Sequence, residues 1–121
     1  SAYTQTARPG ARAPHVGLPG GRSTLDLFGR GFTLLRLGPD APGGEGMLRA
    51  AREAGVPIRA VALDQPEVLE VYGRALVLVR PDGHVAWRAD VEPLQPAAVI
   101  DAVRGAQPIT REGRSRLEAA S

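Results

Sequence analysis

Cysteine is absent from this 121-residue chain, and so is lysine. Without a thiol there can be no disulfide, no thiolate nucleophile and no cysteine-held zinc. Aromatic side chains make up only 4% of residues, so aliphatic side chains and alanine must fill the core. No apolar run approaches the roughly 18 residues of a membrane span, and no signal peptide is visible. A cytoplasmic protein without a membrane partner is expected. What is present is ordinary for a globular chain: 43% of residues are hydrophobic. The length suits one domain with one modest core.

The net charge is +2, carried entirely by arginine on the basic side. Residues 1–22 hold three arginines and no acid, residues 23–106 hold nine against eleven acids, and residues 107–121 hold three against two. The compact part is therefore slightly acidic. With no basic helix, no interleaved aromatics and no zinc-finger spacing, no nucleic-acid partner is expected.

Fifteen glycines and eleven prolines punctuate the chain and divide it into elements. Residues 1–14, "SAYTQTARPGARAP", read as an extended arm or interdomain linker, residues 15–106 as the domain, and residues 107–121 as a polar tail. In the domain, "HVGLPGGRSTLDLFG" gives two short extended pieces around "PGG". "GFTLLRL" is a strand and "GPDAPGG" a loop. "EGMLRAAREAG" is a helix with Met47, Leu48, Ala51 and Ala54 at helical spacing, Gly55 as its stop and Pro57 beyond. "IRAVAL" is a strand. "QPEVLEVYG" is a short helix with Pro66 at its start and Gly73 at its end. "ALVLVR" suits a central strand, and "HVAWRAD" pairs back on it. "QPAAVIDAVRG" is a helix, with Ala98, Val99, Ala102 and Val103 facing inward.

The stretch "LVRPDGHVAWR", Leu78–Arg88, holds the sole tryptophan, one of two histidines and a turn signal. Pro81 presets φ, Asp82 can bond the following backbone, and Gly83 can take the left-handed position, as in a type I turn with a glycine bulge. Strand alternation puts Val85 and Trp87 on one side and His84, Ala86 and Arg88 on the other, with Trp87 the largest contributor to the core. A catalytic histidine needs a nucleophile, carboxylate or metal partner placed by the fold. Asp82 is near, but a turn aspartate engages its own backbone, so His84 is read as structural. Arg80 and Arg88 are read as solvated or paired with surface acids. His15 and His84 are too distant in sequence to suggest a metal site. Glycines before the first helix could cradle an anion, but Glu45 in its first turn would repel a phosphate. No catalytic, cofactor-binding or metal-binding residue is assigned.

The element order is a βαβ unit followed by ββα, the α/β thioredoxin-like arrangement: a mixed sheet flanked by helices, here with an N-terminal β-hairpin. Thioredoxin-like enzymes work with a cysteine pair at the start of the first helix, opposed by a proline before the third strand. Here those positions read "PDAPGG" and Tyr72-Gly73-Arg74. Disulfide exchange has no nucleophile, which leaves packing, binding or assembly.

"RPGARAPH" (Arg8–His15), "GRSTLDLFGRGFTLLRLG" (Gly21–Gly38) and "VLVRPDGHVAWR" (Val77–Arg88) resemble the C-terminal thioredoxin-like domain of FAD-dependent aromatic-ring hydroxylases. The resemblance covers about residues 8–105. It implies that this chain is a piece of a longer protein whose N-terminal part binds FAD and the aromatic substrate and uses NAD(P)H. The domain's implied role is structural or dimer-related. Its implied partners are the flavin-binding domain of the same chain and a second copy. The alternative is a stand-alone, redox-inactive binding module that holds a peptide along a sheet edge.

Overall fold

The computed structural model describes residues 5–105 of the chain. The expected polar tail and Tyr3 lie outside those residues. The elements are β1 (Gly17–Leu18), β2 (Arg22–Ser23), β3 (Phe32–Leu37), α1 (Glu45–Glu53), β4 (Ile58–Leu63), α2 (Pro66–Tyr72), β5 (Leu76–Val79), β6 (Val85–Ala89) and α3 (Pro96–Gly105). β1 and β2 form the small antiparallel hairpin around "PGG". The main sheet runs in the order β4-β3-β5-β6. β3 pairs parallel with β4 and antiparallel with β5, and β5 pairs antiparallel with β6. This is the thioredoxin-like βαβ plus ββα order. Among the described residues no helix is long and apolar enough to cross a membrane.

β3 and β5 are central because their sequences are apolar on both faces. Phe32, Leu34, Leu76 and Leu78 pack beneath α1 and α3 with Met47, Ala50, Ala51, Ile100 and Val103. Leu35, Leu37, Val77 and Val79 face the other way, against Val68 and Tyr72 of α2 and against Ala7, Ala13, Leu27 and Val85. Gly44 precedes α1 with φ +79°, and a Cβ there would lie 2.6 Å from Leu34 Cδ2, so glycine is required on two grounds.

Helix α3 corrects the sequence reading. Ile100 and Val103 are buried and Val99 is half-buried, whereas Ala98 and Ala102 are exposed. The inward stripe is 96, 99, 100 and 103. An isoleucine buries more area than two alanines, so the helix rotates to bury Ile100. In α1, Met47, Ala50 and Ala51 are the buried residues, while Leu48 and Ala54 are half-buried.

Residues 5–14, read as an extended arm, turn once at Pro9–Gly10, where Ala11 N–H donates to Arg8 O at 3.0 Å, and are docked. Ala7 is 1% exposed and Ala13 5%. Gly10 N–H donates to Val85 O at 2.8 Å, Val85 N–H to Ala11 O at 2.8 Å, and Ala13 N–H to Gly83 O at 2.8 Å, so the arm runs along the start of β6. Its end is fastened at the Pro14 carbonyl. Tyr72 Oη donates to that oxygen at 2.6 Å and Thr24 Oγ1 donates to it at 2.8 Å. Thr24 Oγ1 in turn accepts from Val16 N–H at 3.0 Å. Both Thr24 and Tyr72 are fully buried. Three segments thus meet on two lone pairs of one carbonyl.

Burial pushes the Tyr72 phenol from 10.0 up to about 12, against a lowering contribution from its hydrogen bond with Thr24. A folded-state value above the unfolded one means that the neutral phenol's stabilisation is complete below pH 10 and is lost as pH rises toward 12. Tyr72→Phe is expected to cost about 1 kcal/mol at neutral pH, the usual net worth of one buried hydrogen bond. It should also flatten the alkaline fall in stability between those two pH values, which in the parent chain is on the order of 2–3 kcal/mol. Urea midpoints from pH 7 to 11.5 check this, and parallel curves for the two chains would contradict it.

Candidate functional site

The tip of the β5–β6 hairpin concentrates the titratable groups that the sequence singled out. Gly83 N–H donates to Arg80 O at 2.9 Å and Arg80 N–H to His84 O at 2.8 Å. Gly83 has φ +84°, so the turn is the expected type I turn closed by a glycine bulge. Asp82 Oδ1 accepts the His84 backbone N–H at 3.1 Å, and Asp82 Oδ2 is paired with the Arg80 guanidinium. His84 Nδ1 stands 3.3 Å from Asp82 Oδ1 without making a hydrogen bond. Slight burial raises the Asp82 carboxyl, but the His84 N–H, the Arg80 hydrogen bond and the charges of Arg80 and His84 together hold it below the usual carboxylate range.

Asp82 and His84 thus stand side by side at the turn. The depression beside the turn, about 270 Å³, is lined by Arg12, Ala13, Leu25, Phe28, Gly29, Pro81, Asp82 and Gly83, with no hydroxyl or thiol among them. His84 is not on its wall. Its backbone bridges Arg12 of the arm instead. A general base must reach the proton it removes, and among the described residues that line this depression none carries a hydroxyl or thiol. His15 is equally local, with Nδ1 2.6 Å from Ser23 Oγ. Among the described residues no group of three His, Asp or Glu could hold a metal ion.

The return strand departs from simple alternation. Val79 pairs with Val85 but Leu78 pairs with Trp87, so Ala86 is an extra residue and β6 carries a bulge. Val85 therefore points toward α2, while Ala86 and Trp87 both pack against the α1–α3 side. Trp87 and Val85 lie on opposite faces, contrary to the sequence reading. Trp87 is half-buried rather than the centre of the core, and Tyr72 is the largest fully buried side chain. The bulge also turns Arg88 toward α2, where Nη1 donates to Tyr72 O at 2.8 Å. Arg88 thus caps a helix carbonyl instead of meeting a surface acid. Arg80 does meet one, Asp82.

Two features escaped the sequence. One is the fastening of Pro14 by Tyr72 and Thr24. Its visible signal was the i, i+4 pair Val68 and Tyr72, which turns the tyrosine inward and obliges its hydroxyl to find a partner. The other is a second depression of about 240 Å³ lined by Arg22, Asp26, Leu27, Phe28, Arg30 and Arg59. It gathers three arginines from three separate segments. Asp26 is already engaged, accepting from Ser23 N–H at 2.8 Å in a capping box.

At the start of α1, where a thioredoxin-like enzyme keeps its cysteines, the chain has Pro42-Gly43-Gly44. The Glu45 carboxylate folds over Gly43, so close that a Cβ there would sit 2.1 Å from Oε1. The first turn of the helix thus carries the chain's own negative charge, while Gly44 at the N-cap receives no side-chain hydrogen bond.

The fold and the empty redox position define a thioredoxin-like α/β domain without a thiol. Residues 6–106 match the family model of the C-terminal region of aromatic-ring hydroxylases, and the chain belongs to that family. FAD-dependent monooxygenase apdD of Emericella nidulans is 46% identical over 96 residues, covering 73% of this chain and 15% of the relative. Aklavinone 12-hydroxylase RdmE of Streptomyces purpurascens is 44% identical over 114 residues, covering 83% and 21%. Among solved structures, the rebeccamycin biosynthetic enzyme RebC with reduced flavin superposes with a TM-score of 0.81 at 50% identity, covering 88% of this chain and 20% of that one. A ternary complex of aklavinone-11 hydroxylase with FAD and aklavinone gives 0.66 at 41% identity, covering 83% and 22%. The chain spans about a fifth of the length of the relatives it matches.

The half-buried tryptophan yields a ranking. Trp87→Ala is expected to cost about 1–3 kcal/mol, below the about 3–5 kcal/mol of a fully buried aromatic, because part of its surface is already in water. Leu78→Ala, at a fully buried position of β5, should cost more, up to about 5 kcal/mol. Urea unfolding of both variants decides the order, and a larger loss for Trp87→Ala would restore it to the centre of the core.

Proposed function

We propose that this chain is the non-catalytic C-terminal domain of a cytoplasmic FAD-dependent, NAD(P)H-using aromatic-ring monooxygenase. It docks on the flavin-binding part of the same protein and has a structural or dimer-supporting role, with no nucleic-acid or membrane partner. The observation that carries this reading is the family match over residues 6–106 in a chain a fifth the length of its flavin-dependent relatives. The hairpin supports it, since Asp82 accepts the His84 backbone N–H and pairs with Arg80 around a turn. The folded unit in this reading runs from about residue 6 and includes the arm, because Ala7, Ala13 and the Pro14 carbonyl are packed within it.

The test is made in the longer protein. Flavin chemistry needs ring, flavin and positioning groups in near-attack geometry, and in this reading those groups belong to the other four fifths. His84→Ala should leave the hydroxylation kcat within about twofold of the unmodified enzyme. Gly83→Val should lower the unfolding temperature of the domain, since valine is poorly tolerated at positive φ. A fall in kcat of about a hundredfold for His84→Ala, with unfolding unchanged, would place the hairpin in the active site and overturn the reading.

A further inference from the structure

The two edges of the main sheet are treated differently. The β6 edge is covered at its start by the arm, through the bonds of Gly10, Ala11 and Ala13. Among the described residues the β4 edge has one neighbour, β3, and no strand on its outer side. Phe32 N–H donates to Pro57 O at 2.9 Å and Gly38 N–H to Leu63 O at 3.1 Å. Parallel ladders alternate, so Pro57, Arg59, Val61 and Leu63 turn their backbone groups toward β3. The N–H and C=O groups of Ile58, Ala60 and Ala62 therefore point outward. Ala60 and Ala62 are exposed and small, leaving the edge sterically open. Exposed strands are ordinarily blunted by proline, lysine or a bulge. β4 is six residues long, pairs without a bulge, and contains neither residue.

The three-arginine depression adjoins the start of this edge. Arg59 belongs to both, sitting on β4 and lining the depression with Arg22 and Arg30. Its Nη2 donates to Leu27 O at 2.5 Å, which holds the guanidinium over the depression. All three arginines are exposed, and none makes an ion pair with another described residue. Guanidinium groups so gathered suit carboxylates, which they bind through paired N–H donors.

We propose that the β4 edge and the depression lined by Arg22, Arg30 and Arg59 form one docking surface, taken by an extended acidic segment of the flavin-binding part of the longer protein. The segment adds a fifth strand beside β4, its backbone meeting Ile58, Ala60 and Ala62 and its carboxylates meeting the arginines. This rests on the docking role proposed above. Charge selects the occupant. A second copy paired antiparallel through Ala60 would set the two Arg59 side chains diagonally on one face, about 7–8 Å apart, as like charges. Covalent attachment to the larger part supplies a high effective concentration, so a short strand suffices.

Amide hydrogen exchange resolved to single residues tests this, run on the 121-residue chain and on the longer protein. The outward amides of Ile58, Ala60 and Ala62 should exchange freely in the chain and slow by about 100-fold or more in the longer protein. Combined Arg22→Glu and Arg59→Glu should remove at least about tenfold of that protection, while Arg22→Lys with Arg59→Lys keeps most of it. If the reversed pair also lowers the unfolding temperature, Arg22→Gln with Arg59→Gln replaces it, with the same direction expected. Protection elsewhere on the domain with β4 still exposed would overturn this surface and leave the docking role standing. Protection nowhere would overturn both. Protection in the chain alone that rises with its concentration would assign the edge to a second copy and overturn the acidic segment. Protection indifferent to the arginine variants would overturn it as well.

Discussion

One carbonyl oxygen, that of Pro14, organises the α2 side of this domain. It accepts from Tyr72 Oη and from Thr24 Oγ1, and both donors are fully buried. An unpaired polar group at such depth costs about 1–3 kcal/mol, so each donor needs the oxygen as much as the oxygen needs them. Because Tyr72 ends α2, Thr24 follows β2 and Pro14 ends the arm, this junction joins segments that share no helix or sheet. The arm then lies where Ala7 and Ala13 close the apolar layer over Leu35, Val77 and Val79. Arg88 adds a second tie from β6 to the same helix end through Tyr72 O.

For function, the proposed reading is a division of labour. A thioredoxin-like frame is retained, yet its thiol position is a proline-glycine loop and its first helix starts against Glu45. In the hairpin the turn aspartate accepts the His84 backbone N–H and pairs with Arg80, while the His84 imidazole Nδ1 makes no hydrogen bond among the described residues. The groups left outward are backbone edges and arginines, which are the materials of association. That pattern supports the proposed domain kept for its surfaces, in a chain that spans about a fifth of the length of the relatives it matches.

Much of the frame could be read in advance. β5 announces itself as an unbroken apolar run and β3 as a run rich in β-formers, and Pro81-Asp82-Gly83 specifies its turn by residue chemistry alone. That no cysteine pair stands at the thioredoxin position is read directly from the sequence. What could not be read depends on geometry that one strand or helix does not contain. Alternation places Val85 and Trp87 together, but the bulge at Ala86 sends them apart, and nothing in "HVAWR" marks an extra residue. The inward face of α3 is set by Ile100, whose larger area outweighs the alanines that fit an equally regular stripe. Tyr72 and Pro14 are 58 positions apart, so their bond exists only once the sheet has formed. The arginine depression draws on residues 22, 30 and 59 for the same reason.

The claim on which the rest depends is that residues 5–14 are a working part of the folded unit. Unfolding in urea of the full chain and of a chain starting at His15 tests it directly. Removing the arm strips the Pro14 acceptor from two buried donors and uncovers the start of β6. The shortened chain should therefore lose about 3 kcal/mol or more, or fail to unfold cooperatively. An unchanged midpoint and slope would show that the arm is only a tether, and the account built on the Pro14 carbonyl would be wrong.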